Sequence, residues 1–170
     1  MRPDTRILRS VQALGVGIAA LALFGLRGLL VTPSADPAAG ERQAVVQRAV
    51  DGDTVVLVGG DRVRYIGVDT PELHHPKKPV QFYAREAMEF NRRLVEGKTV
   101  RLEFDVERRD KYGRLLAYVY LPDGTFVNAE LVRQGYAQLL TFPPNVKHVD
   151  LFRKLQTEAR EANRGLWGKR

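Results

Sequence analysis

The chain has no cysteine. Disulfides, thiolate catalysis and cysteine-based zinc sites are therefore excluded. A thiol-free chain is also compatible with export, because it needs no oxidative folding help. Serine is almost as scarce: Ser10 and Ser34 are the only two, and both precede the segment that reads as globular. Ser/His/Asp hydrolysis has no nucleophile there. Only three histidines occur, and His74 and His75 are adjacent, so they cannot share the i, i+4 helix face of a zinc-protease motif. No internal repeat is visible, and nothing in the composition suggests collagen, a coiled coil or disorder.

What remains is an ordinary basic domain. With 170 residues and 44% apolar content, the chain can build one core once an N-terminal segment is set aside. The formal net charge is +7, and from residue 41 onward 23 Lys+Arg stand against 18 Asp+Glu. Such a balance favours polyanionic partners, nucleic acid or an anionic membrane.

The first ten residues hold three arginines and one aspartate, and Val11–Phe24 is then uncharged and apolar. A basic stretch before an apolar run reads as an export signal with a cytoplasmic N-terminus. Extended to Val31 the run approaches the roughly 20 residues that span a bilayer, with Arg27 snorkelling toward the interface. Residues 1–31 are expected to be either a cleaved signal peptide or a retained membrane anchor. Residues 32–43 read as a Pro/Ala/Gly linker, and residues 44–170 as the domain. The domain is expected outside the cytoplasm, secreted or anchored through residues 11–31, as a monomer.

Within the domain, Ala44–Val50, Thr54–Val58 and Arg62–Val68 are β-prone runs punctuated by Asp-Gly-Asp and Gly-Gly-Asp. Apolar periodicity from Ala84 to Val95 predicts a helix that Gly97 can end. Thr99–Phe104 and Leu115–Leu121 are further strands. Asn128–Gln134 and Asp150–Asn163 are further helices, with Gly165 able to cap the last and Trp167 able to pack back. This α+β order suits a small five-stranded barrel with three flanking helices, of which an OB-type barrel is one solution.

Acids and arginines carry the chemistry. Asp51-Gly52-Asp53-Thr54 between two β runs is a common hairpin turn. It is no EF-hand, because Val56 and Arg62 stand where glycine and glutamate are required. Asp69-Thr70-Pro71-Glu72 reads equally as a capped turn, and Arg64 and Arg114 as solvated strand charges. Taken jointly they acquire a role. Asp53, Asp69 and the Thr70 carbonyl offer hard oxygen ligands, Glu72 can hold a water as general base, and Arg64 and Arg114 can hold a phosphate. His74–Pro79 then reads as an exposed basic loop near that phosphate.

These motifs resemble the staphylococcal nuclease (thermonuclease) family. The resemblance runs from about Val45 to Gly168. It rests on Asp51–Thr54, Arg64 through Val68–Glu72, His75–Lys78, Asp110–Tyr118, Val127–Gly135 and Gly165–Trp167. It implies an OB-fold barrel with three helices and Ca²⁺-dependent cleavage of DNA and RNA that leaves 3′-phosphates. By position it implies that Asp53, Asp69 and the Thr70 carbonyl bind calcium, that Glu72 is the general base, and that Arg64 and Arg114 hold the phosphate. Lys111 and Tyr112 fall where the family contacts a terminal phosphate. Leu140 and Phe142 stand where the family carries a tyrosine pair; Phe142 keeps a stacking face, Leu140 only apolar contact. The alternative is a non-catalytic nucleic-acid-binding module of the same fold at the cell envelope. A pure binder, however, gains nothing from three acids beside a polyanion.

Overall fold

The computed structural model describes residues 40–73, 77 and 79–168. The apolar N-terminal run, and His74, His75, Pro76 and Lys78 of the basic loop, lie outside the described residues. Among the described residues no helix is long and apolar enough to cross a membrane.

Five strands close a barrel in the order β1 (Glu41–Asp51), β2 (Thr54–Leu57), β3 (Arg62–Tyr65), β6 (Leu115–Tyr120), β5 (Thr99–Glu103) and back to β1. Neighbours are antiparallel except β3 and β6, which run parallel with Val63 opposite Leu115 and Arg64 opposite Leu116. Period-two alternation explains which side chains fill the interior. Val63 and Tyr65 of β3 are buried while Arg62 and Arg64 face outward. Val46, Leu57, Val100, Leu102 and Val119 join them in the core with no more than 1% exposure.

Three helices flank the barrel: α1 (Ala84–Val95), α2 (Val127–Arg133) and α3 (Val149–Glu161). Ala84, Ala87 and Val95 of α1 and Phe152, Leu155 and Ala159 of α3 are buried, as their helical spacing requires. The expected barrel with three helices is therefore present.

Three local expectations change. First, β1 begins at Glu41 and pairs with β5 from Glu41 opposite Glu103, so Glu41, Arg42 and Gln43 are strand residues within the stretch read as linker. Second, the run Arg62–Val68 is not one strand. It breaks at Ile66-Gly67, and β4 (Val68–Asp69) leaves the barrel to pair with the two-residue β7 (Gln138–Leu139). Gly67 has φ +80°, and a Cβ there would lie 2.5 Å from the Phe152 ring, so both the turn and the packing of α3 need glycine. Third, Gly165 does not cap α3. Ala162 closes the helix, Asn163 takes the left-handed conformation, and Gly165 begins a short 3₁₀ turn to Trp167. Trp167 does fold back, with the Arg160 guanidinium 4.2 Å over its ring.

Candidate active site

The break after β3 brings the two acidic turns together. Asp51 ends β1, Gly52-Asp53 turns the chain, and Thr54 starts β2. Across from them, the Thr70 N–H and Oγ1 donate to Asp53 Oδ2 at 2.8 and 2.9 Å. Thr54 Oγ1 donates to the other oxygen, Oδ1, at 3.0 Å. This contact requires Gly52: a Cβ there would lie 2.7 Å from the Thr70 side chain. Helix α1 fixes the same turn from below. Asn91, fully buried, donates Nδ2 to the Asp51 carbonyl at 2.9 Å and accepts from the Tyr65 hydroxyl at 3.0 Å. Both polar ends of that side chain are satisfied, as burial demands.

Arg64 stands between the acids. Its Nη2 lies 3.0 Å from Asp69 Oδ1 and 3.2 Å from Asp53 Oδ2, while Nη1 donates to the Tyr65 and Val68 carbonyls at 2.9 and 2.7 Å. The arginine expected to face a phosphate is thus engaged by protein acceptors: its charge lies between two carboxylates, Asp53 and Asp69, that would otherwise repel each other. Asp69 also accepts from Gln138 Nε2 at 3.3 Å, so the β4–β7 pairing positions a site residue.

Asp51 and Glu72 complete an acidic group. Burial, then the charges of Asp53 and Glu72, push the Asp51 carboxyl from an ordinary 3.8 up to about 7. Burial also raises Asp69, opposed by Arg64. Glu72 is half-buried and its backbone is clamped: its N–H donates to Gln81 Oε1 at 2.9 Å, and the Gln81 N–H donates to the Glu72 carbonyl at 3.1 Å. Asp51, Asp53, Asp69 and Glu72 all line one cavity of about 240 Å³. So do Arg62, Arg64 and Arg114.

Arg64 and Arg114 also border a second, larger cavity of about 530 Å³, walled by Tyr112, Phe142, Leu140 and Leu116, with Lys111 at its edge. The turn Asp110–Arg114 builds this side. Asp110 Oδ1 accepts the N–H groups of Tyr112 and Arg114 at 2.9 and 3.0 Å, and its Oδ2 accepts Arg114 Nε at 2.7 Å. Burial works to raise the Asp110 carboxyl, yet Arg114 and the two N–H groups hold it below its ordinary value. Arg114 is oriented through Nε alone; among the described residues no acceptor meets its terminal nitrogens. Tyr112 and Phe142 are 73% and 69% exposed; Phe142 offers a ring face for stacking, while the Tyr112 ring is met by Lys111 Nζ at 5.1 Å and the Arg114 guanidinium at 5.6 Å from its centroid.

The structure therefore brings every expected site residue to one of two adjoining cavities. Sequence reasoning passed over four others. In the sequence Asp51 reads as a turn residue, although it sits in the same motif as Asp53. Arg62 alternates with Arg64 and so must share its face, a signal the strand pattern contains. Gln81 and Asn91 carry no sequence signal, because their partners are distant in the chain.

Among the described residues, no three or more histidine, aspartate or glutamate side chains converge as a metal centre. The donor chemistry nonetheless suits a hard cation, because four carboxylates share one small cavity. His148 lies elsewhere, edge-on to Tyr118 with ring centroids 4.5 Å apart.

The sequence pattern of the family described as "Staphylococcal nuclease homologue" matches residues 62–169. The chain belongs to that family. The matched span includes Arg64, Asp69–Glu72 and Arg114, while Asp51 and Asp53 precede it. A thermonuclease of Staphylococcus intermedius is 44% identical over 126 residues, 72% of this chain and 74% of that protein. A thermonuclease of Staphylococcus hyicus is 38% identical over 132 residues, 76% of this chain and 78% of its own length. Endonuclease YncB of Bacillus subtilis (strain 168) is 45% identical over 129 residues, and the match spans 73% of this chain but only 61% of that relative.

Proposed function

We propose that this chain is a calcium-dependent nuclease that hydrolyses phosphodiester bonds of DNA and RNA and leaves 3′-phosphates. The observation that carries this reading is the shared cavity, in which four carboxylates meet Arg64 and Arg114 beside an exposed aromatic wall. Membership of a family whose relatives are named thermonuclease and endonuclease supports it.

Asp53, Asp69 and the Thr70 carbonyl would hold Ca²⁺, and the ion would supply positive charge to a bound phosphate. Arg114, with free terminal nitrogens, holds the phosphate oxygens where negative charge grows in the transition state. Arg64, which lines the same cavity, does the same from the other wall. The Glu72 carboxylate takes a proton from water, and that water's oxygen bonds to phosphorus. The P–O5′ bond breaks, and the departing oxygen takes a proton from solvent, giving a 5′-hydroxyl and a 3′-phosphate. Lys111 and Tyr112 hold a neighbouring phosphate, and Phe142 offers a face to a base. The basic, apolar N-terminal run supports an enzyme delivered outside the cytoplasm, cleaved free or anchored.

The test is cleavage of DNA and RNA by the full chain with Ca²⁺, then with a chelator. Hydrolysis with Ca²⁺ that stops on chelation and yields 3′-phosphate ends is the expected result. Binding without turnover under any divalent ion would overturn it in favour of the binding module.

A further inference from the structure

Arg62 and Arg48 form a basic row beside the acidic one. Cross-strand register sets Arg48 of β1 opposite Val56 of β2, and Val56 opposite Arg62 of β3. Carried one residue back, the parallel register of β3 on β6 sets Arg62 beside Arg114. The adjacent row is Asp51, Thr54, Arg64 and Leu116. Directly opposed side chains share a face of the sheet, so Arg48, Arg62 and Arg114 run across the outer wall of the barrel at strand spacings of about 4.8 Å. Val56 between them is only 8% exposed, while Arg48 and Arg62 themselves are exposed.

Neither Arg48 nor Arg62 has a hydrogen-bond or ion-pair partner among the described residues, unlike most surface cations of the domain. The acid adjoining Arg62 in sequence, Asp61, is occupied by Arg42 at 2.8 Å and Arg109 at 3.4 Å. Like charges side by side on a sheet are unfavourable, and an anion relieves the cost. Arg62 lines the acidic cavity itself, so the anion it meets is continuous with whatever Arg114 holds.

We propose that Arg62 and Arg48 hold the backbone phosphates of a polynucleotide that lie beyond the cleaved one, on the wall of the cavity formed by β1, β2 and β3. This rests on the nuclease reading for which phosphate is cleaved, but not for binding. The track makes the enzyme favour long strands over minimal substrates.

The test uses the full chain as wild type, Arg62→Ala, Arg48→Ala/Arg62→Ala, Arg62→Lys and, as control, Arg85→Ala on the exposed face of α1. Binding of a long fluorescent single-stranded oligonucleotide is followed against salt with Ca²⁺ chelated, and cleavage of the same strand and of a single-phosphodiester dinucleotide with Ca²⁺. Each lost phosphate contact should lower the slope of log K against log salt by about 0.7 for single strands. The double variant should bind the long strand at least about tenfold more weakly, with the loss of cleavage falling in KM and confined to the long substrate. Arg62→Lys should recover most of the slope, and Arg85→Ala should match wild type. An unchanged slope in the double variant, or an equal loss on the dinucleotide, overturns the track. Wild-type chain that binds and shows these slopes but never cuts overturns the nuclease reading alone.

Discussion

The two cavities share Arg64 and Arg114 but are held by opposite means. The acidic cavity is built from contacts far apart in sequence: Asp53 to Thr70, Asn91 to Asp51, Gln81 to Glu72 and Gln138 to Asp69. Asp51, Asp53, Thr54 and Thr70 in it are buried, and Asp53, Asp69 and Arg64 already have protein partners. The aromatic cavity is built from a local turn, in which Asp110 orders Tyr112 and Arg114 within four residues, and from rings left mostly in solvent. The first geometry fixes charge before a ligand arrives, which is what stabilising a transition state needs. The second offers a surface that adjusts to any base, which is what a sequence-tolerant substrate site needs.

Breaking the acidic side should be felt mainly in the chemical step. Glu72→Gln keeps the backbone clamp to Gln81 and removes only the proposed proton acceptor. It should lower kcat by about 10²–10⁴-fold with little change in KM, measured by single-turnover cleavage; an unchanged rate would refute the role of Glu72. Gly52→Ala should come next. A methyl group forced against Thr70 separates the two acidic turns, costing on the order of 1–3 kcal/mol of stability and lowering kcat as well. A denaturant curve beside a rate assay reads both, and a neutral outcome on both would show that the Thr70 contact is dispensable.

Breaking the aromatic side should be felt in binding. Phe142→Ala removes one stacking face and should weaken single-strand binding by about 1–2 kcal/mol, visible as a raised KM. A loss confined to kcat would instead tie the two cavities more closely than their construction suggests. The smallest effect sharpens the electrostatic contrast. Asp51 binds its proton more tightly folded than unfolded, with a carboxyl pushed to about 7, so in metal-free protein stability falls as pH rises from about 4 toward 7. Asp51→Asn should abolish that loss, raising stability at pH 7 by roughly 1 kcal/mol after allowance for water reaching the cavity. The gain should vanish near pH 4, and thermal unfolding across that range checks both sign and window.

Much of this was legible in the sequence because it depends on local pattern. Alternation in Thr99–Glu103, the helical spacing of Ala84, Ala87 and Val95, and the turn residues around Asp51–Thr54 and Asp110–Arg114 each act over a few neighbours. The pairing of β4 with β7 was not legible, since two-residue strands have no periodicity to read. Nor were the roles of Asn91 and Gln81, which depend on where helix α1 docks. Gly67 shows the boundary well: the run around it looks like one strand, and only the ring of Phe152 from α3 explains why the chain must turn there.

By itself the sequence determined the fold class, the excluded chemistries and the identity of the acids and arginines, because those follow from residue type, spacing and order. Tertiary structure alone decided that Arg64 bridges Asp53 and Asp69, that Asp51 belongs with the acids, and that Arg62 and Arg114 line one cavity. These are matters of register and burial, and Coulomb energies at a few ångströms depend on both far more than on position along the chain.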